Sequence, residues 1–272
     1  MHHNAEDRID DAIVGQFQEK GVVKIPGLFS DWVDVLRAGI ERNMASPSER
    51  ERSVDPADGS PRFFQDLCCW QRITEFHEFV MNSPAASAAA TLMRSKSARF
   101  FHDHVLVKEA GTTTLTPWHQ DAPYYCVRGE QTASFWIPLD PVSRAVSIEY
   151  LAGSHRWGKS YTPMRFDGSA LRPNQQFDDM PDIDSRRDEY EIAGFEMEPG
   201  DAIAFSFKTV HGAPGNSARD RRRRVFAARW MGEDVVYADR GGMVSPPFPD
   251  IHLNDGDRLD VPEFPLVYDA RG

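Results

Sequence analysis

Apolar residues in the first part of the chain recur at intervals of three and four. Ile9, Ile13, Val14 and Phe17 share one face before Gly21 interrupts them, the period of an amphipathic helix. Val22 to Ile25 reads as a short strand. Ser30 offers an N-cap for a second helix carrying Trp32, Val33, Leu36 and Ile40, and the alanine-rich segment from Ser83 to Arg94 predicts a third. Ala45 to Arg62 is charged and reads as loop. From Ala98 onward the pattern changes to short runs of β-branched and aromatic residues punctuated by Gly, Pro and Asp, which predicts strands near 98–108, 117–121, 132–139, 146–151, 195–198, 202–207, 209–212 and 223–230. Because the helices are not interleaved with these strands, the pattern favours a mainly β, antiparallel jelly roll buttressed by N-terminal helices over a parallel sheet. Arg156 to Tyr190 is polar, contains Pro163, Pro173 and Pro181, and carries an acidic cluster at Asp178, Asp179, Asp182 and Asp184. It reads as a long insertion forming a lid or rim.

With 272 residues, 40% of them hydrophobic, the chain can bury one sizeable core, and a barrel of this length is commonly one domain. The expected division within residues 1–272 is a mainly helical 1–95, a jelly-roll core at 96–232 interrupted by the insertion at 156–190, and a C-terminal extension at 233–272. A net charge of -11 argues against nucleic acid as a partner and for a soluble protein. The longest small-apolar stretch, Pro84 to Met93, is about half of the roughly 20 residues needed to span a bilayer, and no signal-like segment opens the chain. A cytoplasmic location is expected, with no membrane partner. Cys68, Cys69 and Cys126 form neither a disulfide framework nor a zinc-site pattern and read as reduced, structural thiols. The oligomeric state is left open by the sequence.

The candidate chemistry begins at Trp118-His119-Gln120-Asp121. Pro117 biases its neighbour towards extended geometry, and two residues apart on a strand His119 and Asp121 point to one face. His211, 90 residues beyond Asp121, follows Pro199-Gly200-Asp201 and is the best third ligand. Two histidines and a carboxylate on one face of a metal leave positions open, as an iron(II) oxygenase that binds a cosubstrate and O2 together requires.

A longer series of motifs surrounds these residues. Trp136-Ile137-Pro138-Leu139-Asp140 precedes Val142-Ser143-Arg144, then come Leu151-Ala152-Gly153-Ser154-His155, Pro199-Gly200-Asp201, and Val210-His211-Gly212 with Asn216. In order and spacing, from about Leu106 to Trp230, the chain resembles the phytanoyl-CoA dioxygenase family. The resemblance implies a double-stranded β-helix (cupin-like) core, iron(II) held by His119, Asp121 and His211, and 2-oxoglutarate as cosubstrate. It also implies an arginine after the distal histidine that pairs with the far carboxylate of 2-oxoglutarate. Arg222 fits the spacing best, with Arg224 second because alternation puts both on one strand face and leaves Arg221 and Arg223 to solvent. Gln120 and Trp136 match pocket-lining positions, Lys108 a lysine upstream of the first histidine, and His155 the histidine of the Gly-Ser-His segment. Tyr124 and Tyr125 beside the ligands read as substrate contacts or as packing. One departure is Ala213, where the family often has a serine that helps to bind the cosubstrate.

The implied activity is hydroxylation of a small metabolite, with succinate and CO2 as co-products. The presence of Asp121 disfavours halogenation, which replaces that carboxylate, while desaturation, epimerisation and ring formation stay open. Two other readings compete: a cupin-type isomerase or hydrolase using His102, His104 and Glu109, which have His-x-His-x4-Glu spacing, and a non-catalytic binding protein on the same barrel.

Overall fold

The computed structural model describes residues 8–164, 169–218 and 220–271. Four helices precede the main run of strands: α1 (Asp11–Lys20), α2 (Val33–Ala45), α3 (Thr74–Asn82) and α4 (Ala85–Met93). The Asp10 carboxylate accepts from the Ile13 amide at 2.8 Å at the start of α1. Gly21 ends α1 at a φ of 70°, and a β-carbon there would meet His155 Nδ1 at 2.3 Å, so glycine is needed for both conformation and space. The second helical segment opens as a 3-10 turn at Ser30–Trp32. Ser30 does not cap it as expected; its hydroxyl donates back to the Gly27 carbonyl at 3.2 Å. The nine-residue helix α3 was not anticipated, because Phe76, Phe79 and Val80 supply only one buried stripe over so short a segment.

Among the described residues the strands, in chain order, are β1 (Val22–Ile25), β2 (Phe63–Leu67), β3 (Ser97–Lys108), β4 (Thr116–His119), β5 (Val127–Arg128), β6 (Thr132–Pro138), β7 (Glu149–Leu151), β8 (Ile192–Gly194), β9 (Ala202–Phe205), β10 (His211–Ala213), β11 (Arg223–Met231), β12 (Val236–Tyr237) and β13 (Leu266–Asp269). The larger sheet runs β1-β9-β6-β11-β3-β13, with β2 also on β3; the smaller runs β4-β10-β7-β8, and β12 pairs β5. All these pairings are antiparallel, giving the jelly-roll core expected. The strand expected at 195–198 lies earlier, at β8, while Met197 makes only an isolated bridge to Val142.

Alternation on the larger sheet separates packing from chemistry. Phe226, Ala228 and Trp230 of β11 face the helices. The Phe76 and Phe226 rings lie 4.6 Å apart and Phe100 packs on Trp230 at 5.0 Å. The buried alanines of α4 bring that helix against the same face. Fully burying each large side chain here contributes on the order of 1.5–3 kcal/mol. The other face looks towards the smaller sheet, and Arg223, Val225, Ala227 and Arg229 of β11 line the space between. β3 obeys the same rule. His102, His104, Leu106 and Lys108 turn inward, while Asp103 turns outward and accepts from the Cys69 and Trp70 amides at 2.9 and 2.8 Å. Cys68, Cys69 and Cys126 are free thiols, and no helix among the described residues is long and apolar enough to cross a membrane.

Candidate active site

Strand β4 ends at His119, so Asp121 is not on it; it sits at the start of a 3-10 turn, Ala122–Tyr124. The turn nevertheless returns the carboxylate to the histidine. Register pairs His119 with His211 across β4 and β10, and their rings lie 4.2 Å apart. Asp121 Oδ1 is 3.7 Å from His119 Nε2 and 3.9 Å from His211 Nε2. Each imidazole is oriented from behind: His119 Nδ1 lies 2.8 Å from the Pro117 carbonyl and His211 Nδ1 2.9 Å from that of Thr209. A carbonyl only accepts, so both Nδ1 atoms carry the proton and both Nε2 atoms present lone pairs. One donor atom from each of His119, Asp121 and His211 lies within 4.8 Å of the others. Among the described residues these form the one such group of three or more.

Arg229, unremarked in the sequence, completes the arrangement. Its Nε donates to Asp121 Oδ2 at 3.3 Å, engaging the oxygen turned away from the histidines. Burial opposes ionisation of Asp121, but the charge of Arg229 outweighs it and holds the carboxyl well below its usual range. Burial, then the neighbouring His119, pulls His211 down to about 3. The donors are thus an ionised carboxylate and a neutral His211 imidazole, chemistry that suits a divalent metal.

The three donors open onto a cavity of about 230 Å³ with aromatic walls that include Phe63, Trp118, Trp136 and Phe205. Trp136 lies where expected. Lys108 is 2% exposed on the cavity wall, donating to the Thr114 and Pro214 carbonyls at 2.8 and 3.0 Å. Burial, then Arg223, pushes its pKa down to about 6.

The arginine expectation is corrected. Arg222 and Arg224 point away from the cavity: Arg222 pairs with Glu41 and Glu109 at 3.2 and 3.3 Å, and Arg224 with Asp140 and Glu41 at 2.7 and 3.0 Å. Arg223, expected in solvent, is 6% exposed and lines the cavity. Its guanidinium donates to the carbonyls of Val146 and Pro214. The physical reason is parity: Val225, Ala227 and Arg229 face inward, so only an odd-numbered arginine can join them. The same parity removes the His102, His104 and Glu109 site. The histidines face the cavity, whereas Glu109 pairs outside with Arg222.

Gln120, expected on the pocket wall, does not line this cavity, and neither does His155. Gln120 turns to the opposite side from His119, donates to the Lys208 carbonyl at 2.8 Å and accepts from the Tyr161 amide at 3.2 Å, anchoring the segment after Arg156. His155 lies under α1, with Nε2 3.2 Å from the Gln18 carbonyl. The motif's contribution comes instead from Ser154, whose hydroxyl donates to Leu151 and accepts from the Val210 amide at 2.9 Å, setting the strand that carries His211. Asn216 similarly donates to the carbonyls of Lys108 and Arg221, holding the connection between β10 and β11. Tyr124 reaches the segment after Arg156, its hydroxyl donating to the Met164 carbonyl at 2.9 Å. Thr162 and Met164 thereby border the cavity, while 165–168 of the insertion lie outside the described residues.

The family model for phytanoyl-CoA dioxygenase matches residues 17–225. Among solved structures, the chain resembles SnoK, a non-heme alpha ketoglutarate-dependent carbocyclase from nogalamycin biosynthesis, with 23% identity, 97% of this chain and 98% of that chain covered, and a TM-score of 0.74. SnoN, a non-heme alpha ketoglutarate-dependent epimerase from the same biosynthesis, has 19% identity, coverage of 94% and 95%, and a TM-score of 0.72. EctD from S. alaskensis has 15% identity, coverage of 83% and 78%, and a TM-score of 0.66. No curated protein matches the chain by sequence. With the family model spanning most of the chain and the jelly-roll core in place, the protein belongs to the phytanoyl-CoA dioxygenase family.

Proposed function

We propose that the protein is an iron(II)- and 2-oxoglutarate-dependent oxygenase that hydroxylates a small organic metabolite, with His119, Asp121 and His211 as the metal ligands. The observation that carries this reading is one cavity with two complementary features. It has a two-histidine, one-carboxylate donor set and, on the facing sheet, the buried basic side chains of Lys108 and Arg223, for which no carboxylate partner occurs among the described residues. The first fits iron(II) and the second the distal carboxylate of 2-oxoglutarate. Solved structures of similar fold are described with the same groups: SnoN in complex with Fe3+ and alpha ketoglutarate, and EvdO2 from Micromonospora carbonacea var. aurantiaca complexed with 2-oxoglutarate.

When bound, iron(II), 2-oxoglutarate and O2 supply the oxidising power for an unactivated C–H bond, with succinate and CO2 as co-products. The chain supplies orientation and charge. Arg229 occupies Asp121 Oδ2 and leaves Oδ1 as the ligand atom. Arg223 offers a planar fork to the distal carboxylate, and Lys108 a second positive charge. The hydroxyl that Ala213 lacks has a source across the strand, because its register partner Thr116 lines the cavity and lies 3.4 Å from Lys108 Nζ. Tyr124 fastens the Met164 backbone at the rim, limiting entry of water.

A small metabolite is favoured over an acyl-CoA because the four-arginine run leaves little free charge for phosphates. Arg223 is internal, Arg222 and Arg224 are paired with Glu41, and Arg221 pairs with Asp220 at 3.2 Å. The test is succinate formation from 2-oxoglutarate with iron(II) under air across a metabolite panel, with mass spectrometry of the product. Gain of one oxygen atom supports hydroxylation, whereas loss of two hydrogens or inversion of a stereocentre replaces it with desaturation or epimerisation. Metal-dependent turnover that survives both His119→Ala and Asp121→Ala would sink the ligand assignment.

A further inference from the structure

The inner face of the larger sheet carries a second polar cluster, at the opposite end from Lys108 and Arg223. His102 and His104 on β3 and Arg229 on β11 all line the cavity, and register pairs Arg229 with His102 and Ala227 with His104. His102 and Lys108 are six steps apart along the strand, about 20 Å at 3.3 Å per residue, so the two polar ends are distinct. Three buried side-chain atoms in this corner have no hydrogen-bond partner among the described residues: His102 Nε2, His104 Nε2 and Arg229 Nη1. His102 is 1% exposed. Buried polar atoms are rarely left unpaired, and three together on a cavity wall call for a partner that arrives through the cavity.

The chemistry of that partner follows from the atoms. His102 Nδ1 lies 3.1 Å from the Asp103 carbonyl, so it carries the proton and Nε2 is a lone-pair acceptor. Burial, then the charge of Arg229, keeps the ring neutral. Arg229 has committed Nε to Asp121 and presents Nη1 as a donor. A carboxylate would satisfy Arg229 but oppose the His102 lone pair, and an ammonium would be repelled by Arg229. A hydroxyl both donates and accepts. Leu67, Leu106, Val225 and Ala227 also line the cavity, so much of the ligand meets carbon.

We propose that His102 and Arg229, with His104 beside them, form the subsite that recognises a hydroxyl group on an otherwise apolar substrate, anchoring it beside Asp121. This rests on the oxygenase reading for its meaning, but the subsite itself needs no metal.

The test therefore uses the full-length, metal-free protein with cyclohexanol, which donates and accepts, and cyclohexanone, which only accepts, with binding read by ligand-observed NMR. Cyclohexanol should bind about tenfold more tightly, the discrimination typical of one satisfied against one unsatisfied buried partner. His102→Phe should abolish the preference, and His102→Gln, whose side-chain carbonyl can still accept, should restore part of it. The second variant also separates loss of recognition from loss of fold, which circular dichroism monitors in both. Equal binding of the two probes, no binding of either, or an unchanged preference in His102→Phe would overturn the proposal. So would a crystal structure in which ordered water keeps the corner while cyclohexanol sits elsewhere. A failed succinate assay with the preference intact counts against the oxygenase reading alone. Equal probe binding with a working succinate assay overturns the subsite alone.

Discussion

Arg223→Met tests whether the cavity's cationic wall binds the cosubstrate. The wild-type guanidinium is 6% exposed and has no carboxylate partner among the described residues. It donates only to main-chain carbonyls, those of Val146 and Pro214, leaving other N–H groups of the fork for a ligand. Two charge-assisted hydrogen bonds to a carboxylate are worth on the order of 1.5 kcal/mol each at the lower end of their range, so their loss should cost about 3 kcal/mol, or roughly 100-fold in affinity. The lower end is appropriate because removing Arg223 also relieves the repulsion that depresses Lys108, and that lysine can then hold more of the ligand charge. Methionine fills the space; the Pro214 carbonyl keeps Lys108 as a donor, and loss of the donor to the Val146 carbonyl should cost about 1–3 kcal/mol, which the fold should survive. Arg222→Gln is the control. Its partners Glu41 and Glu109 and its 37% side-chain exposure make it a surface ion pair worth at most about 1 kcal/mol, and 2-oxoglutarate affinity should change less than about fivefold. The assay is anaerobic titration of iron(II)-loaded protein with 2-oxoglutarate, followed by the visible charge-transfer band of the complex. Unchanged affinity in Arg223→Met together with a large loss in Arg222→Gln would refute the parity argument.

Other consequences follow from buried charge and packing. Lys108 has a pKa of about 6 without ligand, and a docked carboxylate should raise it, so 2-oxoglutarate binding should take up a proton near neutral pH and weaken as pH rises above about 6; calorimetry in buffers of different ionisation enthalpy measures the uptake. His104 and His211 titrate near 3 in the folded metal-free protein but near 6.5 when unfolded. The unfolded state therefore binds more protons between these values, so stability should fall as pH drops below about 6.5, by up to about 1.4 kcal/mol per pH unit for each histidine, and the thermal midpoint with it. His104→Gln should flatten that fall. Phe226→Ala removes a ring fully buried against Phe76 and Phe79 and should cost about 3–5 kcal/mol in chemical denaturation. Gly21→Ala should also destabilise, because its β-carbon would meet His155 and Thr209 at 2.3 and 2.6 Å; a midpoint unchanged from wild type would contradict the close packing of α1 on the loop before His211.

Much of the fold was legible because it is written in short-range periods. The three-and-four spacing before Gly21 and the shift to alternating residues after Ala98 report how one face of each element meets the core. Boundaries were less legible. Nothing local distinguishes Phe195 to Glu198 from the true strand β8, because bridging to Val142 depends on a partner more than fifty residues away. Among the motifs, Gly153-Ser154-His155 and Pro199-Gly200-Asp201 were visible as patterns but not as roles. Ser154 steers the strand bearing His211, and the Asp201 carboxylate accepts from the Gly27 amide at 2.8 Å, contacts that cross from one end of the chain to the other.

The sequence by itself determined the inventory of the site: two histidines and an aspartate in the right order, a tryptophan and a lysine for the wall, and a run of arginines from which one cation could be drawn. Only the tertiary structure decided how that inventory is used. Strand alternation says that neighbouring arginines face opposite ways, but not which of them faces in. That depends on the phase with which the chain enters β11, set by the connection that Asn216 holds and by pairing with β3 and β6. The same long-range phase brings Arg229 to Asp121 and turns His102 and His104 into the cavity while Asp103 faces the helices.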